Sequence, residues 1–314
     1  HTRPGAAPVI IAPMESAVEQ ERFPGHRLLP YLLILPSVAV IVVFLVYPFL
    51  QSVQQSFYAT TAFGTKSVFV GLRNYERLFA SAEFRASAVT TLLFAAFVVL
   101  VGLSVSLGVA HLLNQKLRGQ GFYQVALIWT YALSPAVAGA IWALMFAPAT
   151  GIVPFVVAKL SGGYLMNWMT NGELALLVVS AAATWNMLGY NIVFFVAGLQ
   201  NIPEEFVDAA RVDGAGPWRT FWDITFPMLS PTTTFLLFVN TIYAFFQVFG
   251  LIDIMTHGGP GDATNILIYK LYRDAFIYLN TGAASAESCI VFVVISVAAF
   301  VQLHFATRKA VYER

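Results

Sequence analysis

Uncharged stretches longer than the ~20 residues a membrane-spanning helix needs recur along this chain, and no other feature limits its fold as strongly. They lie between Arg27 and Lys66, Arg85 and Lys116, Arg118 and Lys159, Glu173 and Glu204, and Asp223 and Asp253, with a shorter one from Ser288 to Thr307. Only 11% of the residues are charged and 58% are hydrophobic. Soluble domains carry ~25% charge, so this chain has too few charges to clothe a soluble globule. The windows are continuously apolar, whereas barrel strands alternate over ~10 residues. The fold expected is therefore all-α: a polytopic membrane protein with six helical spans near 28–50, 86–113, 122–146, 174–199, 228–252 and 287–306. Gly, Ala and Ser are frequent in these windows, which suits helices packed closely on one another.

Six spans put both ends on one side. The amino-terminal segment, the second and fourth loops and the tail carry most of the seventeen Lys and Arg residues, which makes that side cytoplasmic. Residues 1–27, with Pro4, Pro8, Pro13 and Pro24 and mixed charges, read as a flexible cytoplasmic tail, and 308–314 as a second one. The native start is either Met14 or lies outside a trimmed sequence. The first apolar run is too long for a signal peptide and lacks a small-residue cleavage site, so it reads as an uncleaved span. A net charge of +1 gives no reason to invoke nucleic acid, and a single cysteine, Cys289, excludes a disulfide framework and a cysteine-rich metal site. No G-x-x-x-x-G-K-[ST] loop occurs, so the chain is not itself a nucleotide-binding engine.

A charged island interrupts the apolar pattern between the fourth and fifth windows. Pro203 suits the first turn of a new helix, and Glu204, Glu205 and Asp208 place acid at its positive end. Gly214 and Gly216 break that helix and Pro217 starts another, in which Trp218, Phe221, Trp222 and Thr225 recur at helical spacing and share a face. Such a surface suits either a groove on a partner protein or the plane of the bilayer.

The spans are essentially free of charge, so candidate pathway groups are neutral: Trp185, Asn186, Tyr190 and Asn191 in the fourth, Asn240, Thr241, Tyr243 and Gln247 in the fifth. Asn186 and Tyr190 are four apart, as are Tyr243 and Gln247, which puts each pair on one helix face. Amides, hydroxyls and aromatic rings suit a polyol; they suit interhelical hydrogen bonds equally. His111 reads as an interfacial side chain rather than a ligand. Pro135, Pro148 and Pro154 bend or end the third span, and Gly162-Gly163 marks an external loop. A membrane-embedded enzyme would need convergent ionisable groups or metal ligands, and none is visible.

The island, DAARVDGAGPWRTFWDITFP from 208 to 227, carries a resemblance. It follows the spacing Glu-Ala-Ala, three residues, Gly, nine residues, Ile, one residue, Leu-Pro, with Asp208 for Glu, Phe226 for Leu, and Ala209, Ala210, Gly214, Ile224 and Pro227 in place. The segment resembles the cytoplasmic coupling loop (here 201–227) of the membrane subunits of bacterial ATP-binding-cassette (ABC) importers. That resemblance implies a permease domain at 28–307 in the bacterial inner membrane, not an enzyme. It also implies a second, different permease subunit, two ATPase subunits that bind the ATP and Mg, and an extracytoplasmic binding protein. Glu205, Asp208, Ala209, Ala210, Asp213, Gly214, Trp218, Phe221, Ile224 and Pro227 would face the ATPase. A passive channel would need no such loop.

The carbohydrate-uptake branch is the closer likeness, through THGGPGDATNILIYKLYRDAF at 256–276 with its Gly-Gly-Pro turn. TYALSPAVAGAIWALMFAP at 130–148 and VNTIYAFFQVFGLID at 239–253 narrow it to the glycerol-phosphate subgroup. Positions matching the branch's sugar pocket are Met187, Tyr190, Thr241, Phe245 and Val248, which join Asn186, Asn191, Tyr243 and Gln247 as the expected pathway. The implied solute is sn-glycerol-3-phosphate or a glycerophosphodiester, with a neutral oligosaccharide such as maltose or trehalose as the alternative. An anion would find no fixed positive charge in these spans. Lys270 and Arg273, expected in an exposed external loop, are the nearest source within this chain.

Overall fold

The computed structural model describes residues 29–60, 67–115, 120–163 and 167–311. The expected 1–27 tail, with Met14, lies outside the described residues. The described chain divides into two units, one up to Gln51 and the other from Ser52.

Helix α1, Tyr31–Gln55, carries one wide π turn, Val42–Val46. A two-stranded hairpin follows, β1 (Tyr58–Thr60) antiparallel to β2 (Ser67–Phe69), and then a short amphipathic helix α2 (Arg73–Ala80). Asn74 of α2 donates to the carbonyls of Ser56 and Tyr58 and so fastens the helix to the hairpin. Helix α3 (Ala82–Leu113) starts on Ser81, whose Oγ accepts from the Phe84 amide at 3.3 Å. This cap satisfies one of the donors every helix start leaves open.

The window 122–146 predicts one span, and the structure breaks it. Helix α4 (Gln120–Ala132) and helix α5 (Pro135–Met145) meet at 104°. Pro135 has no amide hydrogen to continue α4, while Ser134 caps α5 by accepting from Val137 at 3.4 Å. Helix α6 (Ile152–Leu160) leads to Trp168, which is buried and donates to the Phe146 carbonyl at 2.7 Å.

Helix α7 (Gly172–Gln200) is the centre of the bundle and packs against α3, α4 and α5. Its inward side is built of small residues, Ala175, Ala182, Ala183 and Gly189, so neighbouring backbones approach closely. Phe94, Val98, Val179, Tyr243, Val248 and Ile252 fill the space around it. Helices α8 (Glu204–Val212) and α9 (Pro217–Met228) form the loop between α7 and α10 (Ser230–Gln247), and α9 meets α10 at 67°. The window 228–252 predicts a continuous span here. Instead α10 ends in a π turn, Tyr243–Gln247, and α11 (Phe249–Met255) follows after Val248.

Helix α12 (Leu267–Tyr272), extended by a π turn to Ile277, precedes α13 (Thr281–Val311). The charge-free window sets the start of the last span at 287, whereas α13 begins at Thr281: Glu287 is buried inside it, 3.5 Å from Lys270, and so does not mark a boundary. It continues through Val311, so part of the expected 308–314 tail is helical. Among the described residues four helices, Tyr31–Gln55, Ala82–Leu113, Gly172–Gln200 and Thr281–His304, are long and apolar enough to cross a membrane. Counting each bent pair as one span gives six. The architecture is the expected all-α polytopic bundle.

Candidate functional site

The loop between α7 and α10 owes its shape to local chemistry. Pro203 is the N-cap of α8 rather than a first-turn residue, and Glu204 and Glu205 occupy the first turn. Helix α8 closes where Gly214, at φ +77°, lets the Ala215 amide reach the Ala210 carbonyl (2.9 Å) and its own amide reach that of Arg211 (3.1 Å). These are the paired bonds of a Schellman stop, which favours glycine at that position. Pro217 then opens α9 at its first position.

The four residues expected to share one face of α9 are divided between two environments. A π turn, Phe221–Thr225, widens the helix, and Thr225 is buried while Trp218 and Trp222 are exposed. Trp218, Trp222 and Phe226 form a run of ring contacts at 5.7 and 5.1 Å. Phe221 is half-buried and turns its ring to His111 at the end of α3, with centroids 5.4 Å apart. His111 thus joins the loop's footing. Ile224 is half-buried, Ala210 is buried, and Glu205, Asp208, Ala209, Asp213 and Pro227 are exposed. Asp208 pairs with Arg211, 3.0 Å away and also exposed, a contact of little energetic weight.

The root of the loop is tight. A Cβ on Gly198 of α7 would lie 2.8 Å from Thr232 Oγ1 and 2.9 Å from Leu229 Cδ2. Leu229, fully buried, is the corner between α9 and α10. The end of the loop thus packs directly on α7.

Between α7 and α10 the neutral polar groups meet. Asn191 and Asn240 exchange two amide hydrogen bonds, 3.0 and 2.7 Å, and Asn240 also donates to the Leu236 carbonyl. Asn186 donates to the carbonyls of Thr130 and Leu133, both at 3.1 Å, and accepts from Tyr243 Oη at 3.0 Å. Asn186, Asn191, Met187, Tyr243, Phe245 and Val248 are all buried, whereas Tyr190 and Thr241 are half-buried and Gln247 is exposed. Tyr243 and Gln247 are thus separated between interior and surface: the Tyr243 hydroxyl finds Asn186 inside the bundle. Thr241 accepts a hydrogen bond from Gln302 of α13 at 3.2 Å. Rings continue outward from Tyr190: Tyr131, Tyr190, Phe194 and Phe235 follow one another at 4.8, 4.7 and 5.1 Å.

The other end of α7 corrects the reading of the external loop. A Cβ on Gly172 would meet that of Ala263, which places the 256–280 segment at the end opposite the 201–227 loop. Lys270 is buried, not exposed, with Nζ 2.5 Å from Asp274 and 3.5 Å from Glu287. Burial opposes its ammonium, but Glu287 and Asp274 more than offset this, so Lys270 holds its proton more tightly than a free lysine. Glu287 lies within α13 and is fully buried, so the spans are not free of charge. Arg273 pairs with Asp262 and donates to Tyr278 Oη at 2.7 Å. Neither cation is left over to attract an anion. The missed signal was the i, i+4 spacing of Lys270 and Asp274, followed by a glutamate set among small residues, Ala284, Ser285 and Ala286. Among the described residues no His, Cys, Asp and Glu group could hold a metal ion.

A bundle of long apolar helices, interrupted by a structured two-helix loop between α7 and α10, defines a multi-pass membrane subunit. Residues 125–311 match the family described as binding-protein-dependent transport system inner membrane component. The chain belongs to that family: it is a multi-pass inner-membrane permease subunit of an ABC transport system that works with a binding protein. It is 41% identical over 287 residues to the sn-glycerol-3-phosphate transport system permease protein UgpA of Agrobacterium fabrum, covering 91% of this chain and 97% of that one. To the UgpA of Rhizobium meliloti it is 42% identical over 288 residues, with the same coverage. In fold it is similar to a chain of a bacterial ABC transporter involved in the import of the acidic polysaccharide alginate. The TM-score there is 0.77 at 20% identity, over 89% of this chain and 95% of that one.

Proposed function

We propose that this permease carries sn-glycerol-3-phosphate, or a glycerophosphodiester, across the bacterial inner membrane. The observation that carries the reading is the joint one of 42% identity over nearly the whole chain to permeases of that name and a loop rooted rigidly in α7 and α10. In this reading a different permease subunit completes the pore, two ATPase subunits bind ATP and Mg, and an extracytoplasmic binding protein delivers the solute. This chain binds no cofactor and hydrolyses nothing. Both termini and the 201–227 loop are cytoplasmic.

The loop would be the ATPase contact, through Glu205, Asp208, Ala209, Ala210, Asp213, Gly214, Trp218, Phe221, Ile224 and Pro227. Exposed Trp218 and Trp222 on α9 and exposed Asp208 on α8 suit a groove that is apolar with a basic rim. Closure of the ATPases would pull the loop and, through Gly198 and Leu229, tilt α7 and α10. The solute path would run along the faces carrying Tyr190, Thr241 and Gln247.

A neutral oligosaccharide is the second reading, favoured by one observation: Lys270 and Arg273 are both spent on carboxylates within the chain. In the first reading the solute phosphate must instead be met by helix ends or by the partner permease. Vesicles holding the complete complex decide between them. Uptake of radiolabelled glycerol-3-phosphate that requires both ATP and binding protein is the expected result. Uptake of maltose or trehalose alone would replace the first reading with the second.

A further inference from the structure

One side chain joins two of the places where the bundle departs from regular helix, the break between α4 and α5 and the π turn that ends α10. A helix end leaves carbonyls without partners, and in apolar surroundings each must be met from within the protein. At the break, the carbonyls of Thr130 and Leu133 are met by Asn186, which spends both amide hydrogens on them. Its Oδ1 accepts from Tyr243, the first residue of the π turn. Asn186 is 3% exposed and Tyr243 2% exposed, so water does not compete.

We infer that Asn186 and Tyr243 are positioning residues for transport: they do not touch the solute but hold the break and the π turn against each other. The groups they place are those nearest each irregularity that remain accessible. Tyr131, one residue past Thr130, is exposed and packs on Tyr190 at 4.8 Å; Gln247, at the far end of the π turn, is exposed. The chemistry at position 186 is specific. An aspartate of the same shape would set an acceptor against two carbonyl oxygens, and a leucine would remove the donor that meets the Leu133 carbonyl and leave the Thr130 carbonyl only the long bond from the Leu133 amide, 3.4 Å. This inference rests on the importer reading above.

The test uses the complete complex in vesicles, with uptake normalised to assembled complex so that a low yield does not conceal the result. Two solutes are compared, glycerol-3-phosphate and glycerophosphocholine, in wild type, Tyr243→Phe, Asn186→Leu and Tyr190→Ala. Tyr243→Phe removes one oxygen, and its uptake of both solutes per complex should fall by the same factor, about threefold to tenfold, the range spanned by one buried neutral hydrogen bond. Asn186→Leu should fall further, again without changing the ratio of the two solutes, while Tyr190→Ala should change that ratio. If Tyr243→Phe and Asn186→Leu give less complex but wild-type uptake per complex, the pair only holds helices together and the inference fails. A changed solute ratio in Tyr243→Phe would also overturn it, because the hydroxyl would then touch the solute. A wild-type complex that takes up neither solute removes the importer reading itself, and this inference with it.

Discussion

The two ends of α7 handle their charges in opposite ways. At the loop end Asp208, Arg211, Arg219 and Asp223 are exposed and pair at spacings of three and four residues along their own helices. At the other end Lys270, Asp274 and Glu287 are buried and reach between α12 and α13. Exposed pairs contribute ~0–1 kcal/mol and leave their side chains free to meet a partner. Buried ones become costly when one member is lost, ~3–5 kcal/mol. One end is thus available for binding, and the other is committed to holding the fold.

The strongest challenge to that contrast is Lys270→Met, which leaves two carboxylates buried without their cation. We expect it to lower unfolding stability by ~3–5 kcal/mol, read as loss of assembled protein or a fall in Tm in detergent, and equally at low and high salt. Lys270→Met with Glu287→Leu should recover part of the loss. A variant of normal stability whose uptake falls only at low salt would return Lys270 to a role in attracting solute.

Asp208→Lys at the loop should do the reverse. Stability should change by less than ~1 kcal/mol, as for other exposed charges. Solute-stimulated ATP hydrolysis should fall roughly 5- to 150-fold, the span of typical coupling energies. Wild-type stimulation in the reconstituted complex would show that the loop does not dock through this residue.

Between the two ends, Asn191→Leu strands the buried Oδ1 of Asn240 and should cost ~1–3 kcal/mol. Asn191→Leu with Asn240→Leu removes both polar groups and should be the more stable variant, a comparison that a double-mutant cycle in thermal unfolding reads directly. The smallest effect is expected from Arg211→Ala, below ~0.5 kcal/mol; a larger loss of Tm would mean that the Asp208–Arg211 pair shapes α8.

The same contrast explains what was legible in the sequence. The loop could be read because its devices are local: a proline opens α9, Gly214 stops α8, and Glu204 and Glu205 sit in a first turn. Its π turn could not, since Phe221–Thr225 carries no breaker, and the four-residue face drawn on an ideal helix was divided. The spans were legible from charge-free windows, and for the same reason Glu287 was misread, because that rule treats every charge as a boundary. Among the pathway candidates, residue type suggested polar contact, but the partner depends on tertiary placement. Asn186 could have faced a solute or a carbonyl, and only the break at Leu133 shows which groups it meets.

The buried pairing of Lys270 with Glu287 also bears on how the protein is made. Chains emerge amino-terminus first, so Lys270 and Asp274 are already synthesised when Glu287 leaves the ribosome. The last hydrophobic segment enters the bilayer with a carboxylate near its start, and a cation is waiting a short loop upstream. Its other contacts are older still: Ser288 lies 3.0 Å from Ser52, and Gln302 donates to Thr241 at 3.2 Å. Insertion of α13 therefore brings Glu287 to groups that are already in place, and a nascent chain halted before residue 287 would hold Lys270 against Asp274 alone.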